Sequence, residues 1–155
     1  MNTDLLNPFL ESFENVLSTM AFTSANRGEP VIKEGNKAYG DITGIIGLTG
    51  LTQKGSLAIT FTNEAILKIA SNMLAEEFAQ VTDEVVDVVG EITNIVTGGA
   101  KRVLSEKGYQ FELATPSLII GKNHVVIHKT KGEVVIVPYA IDGGSFYLEL
   151  CLDTF

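Results

Sequence analysis

The sequence lacks the residues on which several classes of protein depend. Its 155 residues include one cysteine, Cys151, which excludes an internal disulfide framework and a cysteine-rich metal site. Only 11 residues are basic against 19 that are acidic, and this net charge of −8 disfavours binding to nucleic acid or to an anionic membrane. No apolar run reaches the roughly 18 residues of a membrane span, and the first residues do not form a signal peptide. We expect an acidic, soluble, cytoplasmic protein.

The common catalytic motifs are also missing. The patterns CxxC, HExxH and GxSxG do not occur. Segment 50–56 combines Gly, Lys and Ser, but its lysine precedes the second glycine and a strand pattern follows, so it is interpreted as a hairpin turn and not as a phosphate loop. His124 and His128 could share one face of a strand and bind a metal. No third ligand lies at a convincing spacing, which favours surface histidines.

What is present favours a globular domain. Apolar residues make up 45% and charged residues 19% of the chain, a composition that excludes a disordered protein. The length matches one domain, which we expect to span residues 1–155.

Apolar periodicity predicts three helices. The first runs from Asn7 to about Ala21, or starts near Thr3 with Pro8 inside its first turns. Asn63 is the predicted N-cap of the second helix. The third and longest runs from about residue 83 to 107, with Thr82 as N-cap and Gly108 as its end.

The remaining segments predict strands. Segment 24–37 has the pattern of a loop or a short edge strand. Glycines within 38–50 indicate a bulge or a close backbone approach, and Pro138 indicates an edge or interrupted strand. Cys151 is expected to be a buried thiol on its strand. The strands are predicted at 38–50, 56–62, 117–120, 124–130, 133–141 and 145–152, the last two joined by a tight turn at 142–144. The order of elements predicts an α+β fold with a mainly antiparallel sheet, compatible with an internal repeat.

The third helix carries the candidate site. Asp87, Glu91, Asn94 and Gly98 are spaced four, three and four residues apart, which places them on one helical face. Glu84 extends this polar face, and the opposite face is apolar and predicted to be buried. A solvated helix face is the plain alternative.

This pattern, followed by Pro116 twenty-two residues after the asparagine, resembles the signature of the CheC/CheX/FliY chemotaxis phosphatases. Segments such as NPFLESFENVLSTM, KGSLAITF and GEITNIVTGGAKRVLSEKGY are similar to the CheX branch, over nearly the whole chain. The resemblance implies a CheC/CheX-like α+β fold and an enzyme that dephosphorylates a phosphorylated CheY-type response regulator. It implies catalytic roles for Glu91 and Asn94, partner-binding roles for Asp87, Glu84 and Gly98, and structural support from Pro116.

The resemblance also implies no cofactor of the protein's own, because Mg²⁺ is supplied by the partner regulator, and a homodimer. The first helix repeats the spacing as Asn7, Glu11, Glu14 and Ser18, but Glu14 stands where the asparagine would be. An ionised carboxylate only accepts hydrogen bonds and repels phosphate, so one site per chain is expected.

Two alternatives stay open at this point. The chain could be a non-catalytic module that binds regulators or neighbouring subunits, as in motor-switch proteins. A small-ligand site at His124, His128 or the glycine-rich strand is the weaker one.

Overall fold

In the computed structural model, which describes residues 3–155, three helices pack on one face of an antiparallel sheet. The helices are α1 (Thr3–Met20), α2 (Asn63–Leu74) and α3 (Asp83–Glu106). The strands are β1 (Asn26–Arg27), β2 (Val31–Ile32), β3 (Ile42–Gly50), β4 (Gln53–Phe61), β5 (Phe111–Leu113), β6 (Ser117–Ile120), β7 (Val134–Ile141) and β8 (Gly144–Thr154). The predicted α+β class is confirmed. No helix within this range is long and apolar enough to cross a bilayer.

Helix α1 starts at Thr3, the earlier of the two predicted starts, and Pro8 lies inside it. Pro8 is the sixth residue of the helix, beyond the first four amides that need no intrahelical acceptor, so it removes one i to i−4 hydrogen bond and the helix continues through it. The helix buries a continuous apolar stripe that faces the sheet. The stripe consists of Leu5, Leu6, Phe9, Leu10, Phe13, Val16 and Leu17.

The start of α2 differs by one residue from the prediction. Thr62, and not Asn63, is the N-cap, and its hydroxyl accepts a hydrogen bond from the amide of Ala65 at 3.3 Å. The amide of Asn63 donates to a carboxylate oxygen of Asp41 at 2.8 Å, so Asn63 is already the first helical residue. Threonine and asparagine are both good N-cap residues. Because β4 ends at Phe61, Thr62 is the residue that lies between the strand and the helix.

The sheet places the two long hairpins side by side. Its main order is β1-β7-β8-β4-β3-β5, with β2 also paired to β7 and β6 also paired to β3. Hairpin β3–β4 and hairpin β7–β8 therefore meet at the antiparallel pair β4–β8. Each hairpin follows a long helix, α1 or α3, and these two helices pack against each other. This arrangement is the one expected of an internal repeat.

The outer strands are short on both sides. Segment 24–37 forms the edge strands β1 and β2, which pair with opposite ends of β7. Pro138 lies opposite the break between them, where the amide of Gly28 donates to its carbonyl oxygen at 2.7 Å. Strand β7 is continuous through Pro138. The interruption lies instead in the adjacent edge, between β1 and β2.

The strand predicted at 124–130 is wrong. This segment is a loop that covers the sheet face away from the helices, and its one bridge joins Val125 to Lys37. The surface position predicted for its histidines is wrong as well, because neither residue is exposed and both rings are hydrogen-bonded to the sheet. His124 Nε2 lies 2.6 Å from Thr43 Oγ1, and His128 Nδ1 lies 2.8 Å from Ser56 Oγ. Side-chain hydrogen bonds hold the loop where strand pairing was expected.

A buried ion pair lies under this loop. Lys33 Nζ donates to both carboxylate oxygens of Glu149, at 3.0 and 3.1 Å. His128 Nε2 lies 3.1 Å from one of the same oxygens. The side chains of Lys33, Glu149 and His128 are at most 4% exposed. Cys151, on the same face of β8 by alternation, is buried as predicted.

Candidate functional site

One face of α3 presents polar groups to solvent. Glu84, Asp87, Glu91 and Asn94 are all exposed, and Gly98 is half-buried. Residues three and four apart on a helix have Cβ atoms about 5–6 Å apart, so Glu91 and Asn94 act as neighbours. The opposite side is buried and consists of Val85, Val88, Val89, Ile92, Thr93, Val96, Thr97, Ala100 and Leu104.

The start of α3 is fixed by a cap and by charge. The Thr82 hydroxyl accepts from the amide of Val85 at 3.4 Å, as predicted for an N-cap. Asp83 and Glu84 lie in the first turn, where negative charge interacts favourably with the positive end of the helix. The register of the polar face is thus set about two turns before Glu91.

The sheet fixes the underside of the same helix. Thr93, next to Asn94, is fully buried and donates to the carbonyl of Val89 at 2.7 Å. It packs over Gly44 of β3, where an added Cβ would overlap the Thr93 hydroxyl. The close backbone approach predicted for the glycines of this strand is therefore present at Gly44. Asn94 stands on a helix that cannot roll without disturbing this contact.

Helix α1 holds a second side of α3. The Ser12 hydroxyl donates to the carbonyl of Val96 at 2.8 Å. Gly99 faces Ser12 so closely that a Cβ at position 99 would overlap its hydroxyl. Gly99 is therefore explained by the packing of α1 on α3.

Gly98 has no such explanation within the chain. A Cβ at this position would meet nothing within 4 Å. Glycine in a helix interior costs roughly 1 kcal/mol relative to alanine. Gly98 adjoins a groove of about 510 Å³ between α1 and α3, lined by Glu11, Asn15 and Arg102 among others. The missing side chain leaves the surface open one turn beyond Asn94.

Glu91 and Asn94 are not engaged by the rest of the protein. Within residues 3–155 neither side chain has a hydrogen bond or ion pair. Asn94 offers an amide that can both donate and accept, and Glu91 offers a carboxylate that accepts from a cationic group. The pair is therefore free to bind water and an incoming charged group.

Pro116 lies outside the helix. It is half-buried in the connection between β5 and β6, and both strands pair with β3 and contact α3. Leu118 of β6 approaches Gly90 of α3, one residue before Glu91. Pro116 thus lies between two strands that contact α3.

The matching position on α1 is occupied differently. Glu14 forms an ion pair with Arg27 and accepts a hydrogen bond from the hydroxyl of Tyr139 at 2.9 Å. Glu11 and Ser18 are exposed on either side of it. The carboxylate at position 14 is thus held by the fold, unlike Asn94.

The other candidate ligands do not converge. Among the described residues, no group of three His, Cys, Asp or Glu side chains is placed to hold a metal ion. His124 and His128 bond to different sheet residues, as described above.

No sequence pattern indicated the apolar groove that lies beside the polar face of α3. It is lined by Met20 of α1, Met73 and Leu74 of α2, and by Val88 and the acidic residues of α3. These apolar residues lie at the ends of three separate periodic patterns. No local signal shows that the helix ends meet, so only the tertiary structure reveals the groove.

Comparisons with known proteins agree on one family. Residues 42–140, more than half of the chain, match the model of the family described as chemotaxis phosphatase CheX. A crystal structure of a CheC-like superfamily protein from Shewanella sp. PV-4 is 48% identical and superposes with a TM-score of 0.93, covering 99% of both chains.

Two further relatives are more distant. The CheX of Borrelia burgdorferi, solved in complex with CheY, BeF₃ and Mg²⁺, is 28% identical with a TM-score of 0.82, covering 97% of this chain and 99% of that one. The CheY-P phosphatase CheX of Thermotoga maritima is 22% identical over 142 residues, which are 91% of this chain and 90% of that protein.

Proposed function

The chain belongs to the CheX family of chemotaxis phosphatases, and we propose that it hydrolyses the aspartyl phosphate of a CheY-type response regulator. The observation that carries the proposal is the placement of Glu91 and Asn94. They are exposed neighbours on a helix whose other sides are held by Thr93 and Ser12. The function implied by the sequence resemblance agrees with that of the relatives named above.

Asn94 is the catalytic residue that orients water. Its neutral amide can accept one hydrogen bond from a water molecule and donate one to the phosphoryl group. Side-chain amides position attacking water in this way in GTPases. A helix held by its N-cap, by the sheet and by α1 supplies the fixed geometry that such positioning requires.

Glu91 is the residue that docks and aligns the partner. Its carboxylate would pair with the active-site lysine of the regulator, one helical step from Asn94. This charge-assisted hydrogen bond fixes the position of the Asn94 amide relative to the phosphorus atom. Because Glu91 has no partner in its own chain, no internal ion pair must be broken first.

The reaction balances without a covalent intermediate on this protein. The oxygen of the water forms a bond to phosphorus, and the bond between phosphorus and the aspartate oxygen breaks. The products are inorganic phosphate and the free carboxylate of the regulator, and the protons of the water pass to phosphate and solvent. An acyl phosphate is already reactive, so positioning and electrostatic stabilisation suffice.

The regulator contributes the rest of the site. Mg²⁺ belongs to the regulator and neutralises charge on the phosphoryl oxygens. Its lysine pairs with Glu91. This division explains why α3 carries only a carboxylate and an amide at its centre. We place the reaction in the cytoplasm, in keeping with this class of partner.

The remaining residues of the face contact the partner. Asp87 and Glu84 extend the negative surface toward the start of α3, and Gly98 leaves space on the other side of Asn94. Pro116 supports the helix from the β5–β6 connection.

We also propose a homodimer for this chain. The outer strands β2 and β6 expose Val31, Ile32, Leu118 and Ile120. Exposed apolar edges of this kind are protected in soluble proteins by pairing or by a covering element. Light scattering coupled to size-exclusion chromatography would show twice the mass of 16.7 kDa for a dimer, and the single-chain mass would contradict this part of the proposal.

Phosphate release from a labelled CheY-type regulator in Mg²⁺ buffer tests the function. Wild-type protein should accelerate the loss, Asn94→Ala should abolish the acceleration, and Glu91→Ala should reduce it strongly. Asn7→Ala and Glu106→Ala are matched controls, because both positions are exposed helix residues outside the site.

The outcomes separate catalysis from binding. Full activity of Asn94→Ala would contradict the proposal. Tight binding of the phosphorylated regulator without phosphate release would identify the chain as the non-catalytic module. Urea unfolding of each variant checks the fold, and we expect changes within about 0.5 kcal/mol because the positions are exposed.

A further inference from the structure

The apolar groove beside Glu91 has no role in the mechanism described above. It has a volume of about 430 Å³ and runs along the first two turns of α3. Met20 is 38% and Leu74 is 43% exposed, and Met73 is half-buried between them and the core. Met20, Met73 and Leu74 gather at this one open groove, and exposed apolar groups that lie together beside polar residues are a common feature of interaction sites.

The wall of the groove is acidic. Glu84, Asp87 and Glu91 line it at steps of three and four residues, and none of the residues that line it is a lysine or arginine. The groove therefore favours an apolar side chain that has a basic residue beside it. An acidic segment would be repelled by the wall. A purely polar segment would lose its bound water without gaining apolar contact.

The groove is continuous with the proposed catalytic site because Glu91 belongs to both. A protein interface of ordinary size buries about 800 Å² on each partner, a disc about 16 Å in radius. The ten helical steps from Asn94 back to Glu84 span about 15 Å. A regulator seated on Asn94 therefore covers the groove as well, so the occupant and the substrate are the same molecule.

We infer that this groove is the specificity contact of the phosphatase: it receives an apolar side chain of the CheY-type regulator that is flanked by Lys or Arg. The inference rests on the proposed function and adds to it. Methionine is flexible and polarisable, which lets a groove lined by Met20 and Met73 adapt to the shape of the inserted side chain. The groove lies outside the reacting atoms, so it contributes to docking and leaves the chemical step to Asn94.

The test separates KM from kcat. Initial rates of dephosphorylation are measured against the concentration of phosphorylated regulator for wild type and for the double variant Met20→Ala/Leu74→Ala. We expect KM to rise about five- to tenfold, as for loss of an interface hot spot, and kcat to stay within about twofold. Leu51→Ala, a leucine 84% exposed at the β3–β4 turn, is the matched control and should leave both constants unchanged.

A second measurement removes turnover. In the Asn94→Ala background, affinity for the regulator loaded with Mg²⁺ and beryllofluoride is measured with and without the same double change. The affinity should fall by a similar factor. Glu84→Gln should weaken binding at low salt and make it less sensitive to added salt, because one charge of the wall is removed.

The results distinguish the two claims. If wild-type protein is active, Asn94→Ala is inactive, and the double variant keeps the wild-type KM and affinity, the groove inference is overturned and the proposed function stands. If wild-type protein does not accelerate phosphate loss, both are overturned. A fall in kcat at unchanged KM would also contradict a docking role.

Discussion

The carboxylate of Glu14 accepts a hydrogen bond from the hydroxyl of Tyr139 at 2.9 Å, across 125 residues of sequence. Glu14 stands on α1 where Asn94 stands on α3, and it is also paired with Arg27. The same helical position thus ties α1 to β7 in one half of the chain and meets solvent in the other. Glu14 therefore stabilises the fold, whereas Asn94 is exposed on α3.

This contact predicts an alkaline loss of stability. Burial, and then the adjacent Glu14 carboxylate, raise the pKa of Tyr139 above its ordinary value. In the unfolded chain a tyrosine hydroxyl ionises near pH 10, which is below the pKa of Tyr139 in the folded protein. Unfolding therefore becomes more favourable, and the stability of the protein falls, as the pH rises above about 10. Below that pH the contribution is fully present. Between pH 9 and 11, denaturant midpoints should fall more steeply for wild type than for Tyr139→Phe. Parallel curves would contradict the assignment.

Gly98→Ala should raise the stability of the protein and lower its phosphatase activity. The added methyl group meets open space, and alanine in a helix is favoured by up to about 1 kcal/mol. If the surface is kept clear for the regulator, dephosphorylation should slow while the urea midpoint rises. The neighbouring Gly99→Ala is the contrast, because its methyl group would overlap Ser12 and should lower the midpoint. A stabilised Gly98→Ala with wild-type kinetics would show that nothing approaches closely there.

Gly44→Ala should loosen the platform under Asn94. Its Cβ would overlap the Thr93 hydroxyl, so α3 or β3 must shift. Overpacking of this kind costs about 1–3 kcal/mol, measurable by urea unfolding. The double change Gly44→Ala/Thr93→Ala removes the obstructing hydroxyl and should recover part of the loss. Additive effects of the two changes would argue against the contact.

Glu149→Gln should be strongly destabilising. It leaves the ammonium of Lys33 buried without its anion, and breaking a buried pair costs about 3–5 kcal/mol. Lys33→Met/Glu149→Leu should be closer to wild type, because neither charge of the ion pair is left buried alone and His128 keeps its hydrogen bond to Ser56. Glu112→Gln, at an exposed position, is the control. The ion pair lies on the sheet face away from α3, so activity per folded molecule should be unchanged in all three.

The helices, the last hairpin and the polar face of α3 were predicted because each depends on the residues of its own segment. The three helices follow from apolar periodicity, and the hairpin at 142–144 follows from its turn residues, with Gly143 at a φ of +84°. The polar face of α3 followed from the same periodicity, which is why Glu91 and Asn94 could be placed together on an exposed surface. Cys151 was placed correctly by the alternation of its strand.

Long-range contacts explain the rest. Segment 124–130 has the alternation of a strand, but its histidines bond to Ser56 and Thr43, more than 70 residues earlier. Strand β5 is three residues long and carries too little pattern to be recognised. The pairing of Lys33 with Glu149 spans 116 residues, and nothing near either residue indicates it.

The central position of β8 has a consequence for folding. It is the last strand of the described chain, yet it lies between β4 and β7, and its register with β4 joins Gln53 to Thr154. The two hairpins therefore cannot pair into one sheet until β8 has been synthesised, which happens after nearly all the preceding residues. Such non-local closure slows folding and leaves strand edges uncovered in the meantime. A chain that stops before β8 would leave β4 and β7 each with an unpaired edge.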